Sequence, residues 1–394
     1  MSKVSEQVFR SIKFSFPCLR YFKIAFLSSI SLWFSSKSFA VESRLKIGVV
    51  RPMSGPMEGI GEELNNGIQI AYEKILQSKD KSLAKAIKIY QEDDQGKSSG
   101  AKDAADKLIK DKRVHVLIGS VSNTINDSIS DIAARRKKLL ILPIATDPSL
   151  TGKASNIFSV SISKSQQGAI LGKFARSVLN KNNALILEEQ DNPYAQDLGA
   201  NFANMFKKHG GEKAMREQYD SSPSGFDAIA NRSVQKFHDV AFVPAFYPQA
   251  RELVSKLKAK NRQVVYVGSD GWDTYEMAKA FGPGFSGHYY YTPYAVDDPH
   301  PALQKFVDTY KEKYNKTPSL AAFAGYEALN LVVFAYRKVK SNRTAPLSSF
   351  LRKAKKLPSL SGPIRMSSSR SPLKPATIMV TTPEGSKYMT KVNL

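Results

Sequence analysis

A chain of 394 residues is long for a single hydrophobic core, so two domains or lobes are expected. A hydrophobic content of 42%, with 23 Gly and 20 Pro, excludes a disordered or collagen-like polymer. The net charge of +23 admits nucleic acid or anionic lipid as partners, and a single cysteine excludes a disulfide framework.

Residues 1–40 read as a secretory signal peptide. Lys3, Arg10, Lys13, Arg20 and Lys23 form a basic leader, an apolar run covers residues 24–34, and Ser38 and Ala40 are small residues placed before a cleavage. The apolar run is too short to span a bilayer; a retained signal anchor is the alternative. Cys18 precedes that run, whereas a lipid-modified cysteine would follow it. Cleavage after Ala40 would leave no cysteine, which suits a bacterial envelope protein whose core needs no disulfide. Six of the 58 Lys and Arg and one of the 35 Asp and Glu fall in the leader, so 52 face 34 and +18 remains. The tightest basic run, Arg135 to Lys138, closes a predicted helix, where cations suit the dipole, and lacks interleaved aromatics. A solvated basic surface is therefore expected.

From Leu45 onward, short apolar runs alternate with amphipathic stretches. "KIGVV", "IKIY", "VHVLIGS" and "KLLILPI" are predicted strands. The helices between them carry the stripes Leu64–Ile68–Ala71–Ile75, Ala101–Ala104–Ala105–Leu108 and Ile125–Ile129–Ile132. The rhythm restarts with a helix from about Gln166 to Leu179 and the strands "ALILEE", "DVAFVPA", "VVYVGSD" and "HYYYTPY". Helical stretches over 302–314 and 319–338 follow, then one tail strand, "ATIMVTT". Strands that are apolar throughout and alternate with helices predict an α/β fold of two Rossmann-like lobes with parallel sheets. Ligands bind such sheets beyond the carboxyl ends of the strands, here the loops after Val50, Gly119, Pro143, Glu189, Pro244 and Gly268.

Several motifs carry less than their letters suggest. "GPGFSG" (282–287) follows a helix and precedes a strand, the reverse of a dinucleotide fingerprint, and reads as a turn. "SISK" (161–164) lacks the companion motifs of a Ser-x-x-Lys nucleophile and reads as a connection. The five histidines form no metal-ligand pair, and "DDPHP" (297–301) suits a turn better than a cation site, so neither metal nor cofactor is expected. Asp270 and Asp273 in "GSDGWD" have no His, Lys or nucleophile beside them in sequence. Asp273 is expected in the first turn of a following helix, and Asp270 at a strand end, as a site carboxylate or a helix cap. In the other lobe, Ser122, Asn123 and Thr124 open a helix and Thr146 follows a strand. Hydroxyls plus helix N-terminal amides make a carboxylate site. A zwitterion would bridge the two lobes.

The chain from about Leu45 to its C-terminus resembles the leucine/isoleucine/valine-binding family of type I periplasmic substrate-binding proteins. The resemblance rests on "KIGVVRPMSGPMEGIGEELNNGIQIAYEKI", "LIGSVSNTINDSISDIA", "LPIATDPSLT", "FVPAFYPQARELVSKLKAKNRQVVYVGSDGWD" and "FAGYEALNLVVFAYRK", in that order. It implies two lobes hinged by three crossovers, with residues 44–162 plus 293–360 in one and 163–292 plus 361–394 in the other. It also implies a captured small-molecule ligand, an amino acid or similar polar solute, delivered to the permease subunits of an ATP-driven (ABC) transporter in the inner membrane. The protein would be a periplasmic monomer that binds no nucleic acid and catalyses no reaction. By the same resemblance, Ser122–Asn123 and Ile144–Thr146 hold an α-carboxylate, Asp270 meets an α-ammonium and Tyr194 covers the ligand. The loop from Met57 to Ile60 shapes the side-chain pocket. Asn123 stands where leucine-binding members carry serine, and Phe246 where they carry a ligand-facing tyrosine. A sensing module of the same fold, and an envelope enzyme with Asp270 and Asp273 as acid and base, are the rival readings.

Overall fold

The computed structural model describes residues 44–260, 263–273 and 285–394; the expected signal peptide and the first half of the "GPGFSG" turn (282–284) lie outside them. Strands β1 (Leu45–Arg51), β2 (Ile87–Asp93), β3 (Val116–Ile118), β4 (Leu139–Leu142) and β5 (Ile157–Ser159) form a wholly parallel sheet in the order β2-β1-β3-β4-β5. Successive strand residues point to opposite faces, so both faces need cover. Val49, Ile118 and Ile141 join one core and Val50, Leu117 and Leu140 the other. Helices α1 (Glu58–Leu76), α2 (Lys81–Ala86), α3 (Ser98–Lys110), α4 (Asn123–Arg135) and α5 (Pro148–Gly152) connect these strands. The stripe Ala101–Ala104–Ala105–Leu108 of α3 and Ile125–Ile129–Ile132 of α4 fill the second core.

The second sheet contains β6 (Asn183–Glu189), β7 (Lys213–Tyr219), β8 (Val240–Val243), β9 (Val265–Gly268) and β10 (Tyr289–Thr292), all parallel. Their covering helices are α6 (Lys164–Ser177), α7 (Pro193–Lys208), α8 (Pro223–Ser233) and α9 (Gln249–Lys260). Helix α6 starts at a full capping box between Ser163 and Gln166, a signal present in the sequence. The expected parallel sheet is present and is extended at one edge by two antiparallel strands. β13 (Ala376–Thr382) lies antiparallel to β10, and β14 (Gly385–Val392) antiparallel to β13, giving the order β14-β13-β10-β9-β8-β6-β7. A tight turn at Pro383–Glu384 joins the last two, with Gly385 at φ +132, so the added strand must run back along its neighbour.

Helices α10 (Pro301–Tyr314), α11 (Leu320–Val339) and α12 (Thr344–Lys353) follow β10, yet they pack with the first sheet through Phe306, Phe323, Leu329 and Leu351. Helix α11 presses backbone-close on α1: a Cβ on Gly67 would lie 1.8 Å from the Ala322 carbonyl, and one on Gly325 2.1 Å from that of Leu64. The chain therefore passes between the sheets three times, at 160–163, at 293–300 and through 354–375. The last passage contains the two-stranded ribbon of β11 (Arg365–Met366) and β12 (Pro372–Leu373). "SISK" is the first of these passages, as a connecting segment should be.

The second and third passages meet in a buried polar cluster. Lys374, on the third, pairs with Glu327 of α11 at 3.4 Å, with side chains only 1% and 3% exposed. Its Nζ also donates to the Tyr294 hydroxyl on the second passage at 2.8 Å, and the Tyr294 hydroxyl in turn donates to Glu327. The hydroxyl of Ser359 and the N–H of Leu360 (2.8 Å) complete the carboxylate's shell. Each lone pair so occupied removes part of the cost of burying the charge.

Candidate functional site

The stretch Gly268 to Asp273 shows why each residue type is required. A Cβ on Gly268 would strike the Trp272 ring at 2.1 Å, and one on Gly271 the Ala245 carbonyl at 2.6 Å. The fully buried Trp272 donates Nε1–H to the carbonyl of Val243, at the end of β8, at 3.2 Å. This plug fixes a single 3-10 turn, Asp270–Trp272, against the carboxyl ends of β8 and β9. Ser269 caps that turn by accepting from the Gly271 N–H. Capping is thereby assigned to Ser269 and not to Asp270, whose carboxylate is free for other partners.

Those partners come from two other elements. Asn192 caps α7 by accepting from the N–H of Tyr194 (3.0 Å) and of Ala195, with Pro193 at the first helical position. Tyr194, so placed, donates its hydroxyl to Asp270 Oδ1. Gln167, fully buried on α6, donates Nε2–H to Asp270 Oδ2 at 3.2 Å, and its Oε1 has no partner among the described residues. An ionised carboxylate offers about four lone-pair directions, of which these side chains use two. Phe246 stacks on Tyr194 with ring centres 4.8 Å apart and is 51% exposed. Asp270, Tyr194 and Phe246 thus form one group, and Asp270 keeps partial solvent access.

Asp273 is the last described residue before 274–284, so the helix expected after it lies outside the described residues. Asp273 itself lies just past the turn with non-helical dihedrals, and its carboxylate accepts from the Thr292 hydroxyl at 2.5 Å, tying β9's loop to the end of β10. Desolvation raises the Asp270 carboxyl above its ordinary range, against the hydrogen bonds from Tyr194 and Gln167. Desolvation, joined by the charge of Asp270, lifts Asp273 to about 6; its exposure to solvent tempers that rise.

The other group lies at the carboxyl ends of β3 and β4. Ser122 caps α4 by accepting from the Ile125 N–H at 3.3 Å, so the first N–H groups of the helix have no intrahelical partner. Asn123 and Thr146 are brought together: Asn123 Nδ2 donates to Thr146 Oγ1 (3.3 Å), and the Thr146 N–H donates to Asn123 Oδ1 (3.2 Å). The asparagine therefore does what a serine could not, binding the neighbouring loop through both ends of its amide. Ile144 is half-buried in that loop. Ile60 sits in the first turn of α1, 46% exposed, with no described contact to either group. Among the described residues, no hydrogen bond joins the Asn123–Thr146 group to the Asp270 group.

Sequence reasoning missed the residues that hold these loops. Asn126, fully buried, accepts from the Ser120 N–H (2.7 Å) and donates to the carbonyls of Ser120 (3.0 Å) and Ile144 (2.9 Å), fastening the two loops together. Asp94 accepts from the Ser120 hydroxyl (2.5 Å) and the Gly96 N–H (2.8 Å). Lys164 pairs with Asp147 at 3.1 Å and donates its N–H to the Thr146 carbonyl, linking that loop to the first passage between sheets. The only signal for Asn126 was a polar residue at the edge of the apolar stripe of α4.

A family model for periplasmic binding proteins matches residues 44–385. The chain belongs to that family. Among its relatives is a Leu/Ile/Val-binding protein of Rhizobium johnstonii, 22% identical over 81% of this chain and 86% of the relative. Solved structures with the same fold include a leucine-binding protein from Thermotoga maritima (TM-score 0.70, 24% identity, covering 89% of this chain and 99% of that one). Another, from Rhodopseudomonas palustris, is a solute-binding protein of an ABC transporter in complex with benzoate (TM-score 0.66, 21% identity, 88% and 96%). For a periplasmic binding protein, both residue groups lie where the strand-end rule places a ligand.

Proposed function

We propose that this periplasmic binding protein is the solute receptor of an ATP-driven importer, and that it captures an α-amino acid between its two lobes. The observation that carries this reading is the opposition of chemistry across the strand ends. Asp270, held by Tyr194 and Gln167, has lone pairs left for an ammonium group. Ser122, Asn123 and Thr146 offer hydroxyl, amide and helix N-terminal donors for a carboxylate. Tyr194 and Phe246 would cover the ligand and Ile60 would border its side chain. The lobes, residues 44–162 plus 293–360 and 163–292 plus 361–394, would close by hinge motion and present the loaded surface to permease subunits. The protein would act in the periplasm as a monomer after its signal peptide is cleaved. It would bind no nucleic acid and carry out no turnover, Asp270 serving as a fixed counter-charge oriented by Tyr194 and Gln167. Leucine, isoleucine and valine are named for the Rhizobium relative and benzoate for one structural neighbour, so amino acids and aromatic acids are the first ligands to compare.

A thermal-shift panel on protein refolded to remove bound solute tests this reading. An amino acid at about 100 times its Kd should add roughly 2.7 kcal/mol of stability, and a panel of amino acids without a shift would overturn it. Thr146→Ala should weaken binding by about 1–3 kcal/mol by leaving the ligand's carboxylate short of a donor, measured by calorimetric titration.

The raised carboxyls set a pH dependence with a definite sign. Where the folded pKa exceeds the unfolded one, the folded state holds the proton more tightly. The stability of the free protein should then fall as pH rises from the ordinary carboxylate range toward about 6, the upper bound for the solvent-exposed Asp273. A bound ammonium favours the ionised form of Asp270, so ligand affinity should rise as pH passes upward through that carboxyl's raised range. Affinity that stays flat between pH 4.5 and 7.5 would contradict this.

A further inference from the structure

The positive charge, spread through the sequence, converges in space. Helices that return between parallel strands end where the next strand begins, so their basic C-termini gather at the edge opposite the site. In the first sheet, Lys85 precedes β2, Arg44 precedes β1, Lys112 and Arg113 precede β3, and Lys137 and Lys138 precede β4. These strands are consecutive in the order β2-β1-β3-β4, so the six cations form a row about 14 Å long at about 4.8 Å per strand. The connector after α11 joins the same face, where Asn342 Nδ2 donates to the Arg44 carbonyl and contacts His115 Nε2 at 3.3 Å.

None of the six has a carboxylate within 4.0 Å among the described residues, while nearby Asp106 is already taken by Lys110 and Arg136. The helix dipole explains one cation per helix end, but Lys112, Arg113, Lys137 and Lys138 lie beyond the helices. The local potential registers on His115, whose ring is pushed down by desolvation and then by Lys138 and Lys46.

We propose that this row docks the protein electrostatically on the anionic phospholipid headgroups of a membrane surface, with the cleft facing away from the lipid. A lipid surface fits better than an acidic protein. The cations sit on long side chains with no geometry-fixing partner, and no exposed phenylalanine or tryptophan lies among them to anchor a protein interface. The proposal is independent of ligand identity.

The test is co-sedimentation of protein purified from the periplasm of expressing cells with vesicles of 30% phosphatidylglycerol in phosphatidylcholine, and with phosphatidylcholine alone. Each cation near such a surface contributes about a fivefold factor, so Lys85→Gln, Arg113→Gln and Lys137→Gln together should lower partitioning about 100-fold. A control triple, Lys97→Gln, Lys102→Gln and Arg251→Gln, removes the same charge from helix starts on the cleft side and should change partitioning less than threefold. Melting temperatures equal to wild type confirm that both triples fold. Wild-type protein that ignores the anionic vesicles, or triples that weaken binding equally, would overturn the proposal.

Discussion

Asp270→Ala is expected to weaken binding of an amine-bearing ligand by about 2–5 kcal/mol, which is about thirtyfold at the lower bound. The size follows from the environment of the carboxylate. It stands beyond the carboxyl end of β9 on a turn locked by Trp272, and Tyr194 and Gln167 spend their hydrogen bonds orienting it. Desolvation already raises its pKa, so in the empty site the charge is held at a cost that an ammonium would relieve. Removing it also strands the buried Gln167 amide donor, so Asp270→Ala should lose some folding stability. Asp270→Asn keeps the shape and an acceptor and should separate the two effects: near-wild-type melting with binding still impaired. Calorimetric titration of both variants checks this, and wild-type affinity in either would sink the ammonium assignment.

Lys374→Met should destabilise the fold by about 3–5 kcal/mol, because it leaves Glu327 buried without its cation where two passages between the sheets meet. Desolvation lowers the pKa of Lys374, so the pair stands against the burial of both charges. The double variant Lys374→Met with Glu327→Gln removes both charges and should recover much of the loss. Urea unfolding at constant m measures both. A single variant as stable as wild type would show that the pair contributes nothing to holding these passages.

The sequence made the central strands legible and concealed the edges. β3, β4, β8 and β9 are apolar throughout, and β1 and β6 have apolar centres with charged or polar ends, since both faces are covered. β7 ("KAMREQY") and β14 ("GSKYMTKV") are edge strands whose charged, half-exposed residues give no continuous apolar run. That is why β14 went unread, and with it the antiparallel direction of the tail strand "ATIMVTT". At the site, Asp270, Tyr194 and Thr146 were legible because the strand-end rule and the resemblance point to the same loops. Gln167, Asn126 and Asp94 were not, because a buried polar residue on a helix face looks in sequence like an interruption of the apolar stripe. Only the fold shows that Asn126 reaches two carbonyls on different loops. The partner of Asp273 was hidden for a related reason: Thr292 stands nineteen residues away on another strand.

The most direct test of a cleft built for a zwitterion is a matched pair of ligands. Refolded protein should be titrated calorimetrically with a branched-chain amino acid and with the carboxylic acid of the same side chain that lacks the amine. Saturable one-to-one binding of the amino acid, with the deaminated acid at least about thirtyfold weaker, is the predicted result. Equal or tighter binding of the deaminated acid would contradict the account and turn the cleft into a site for simple carboxylates.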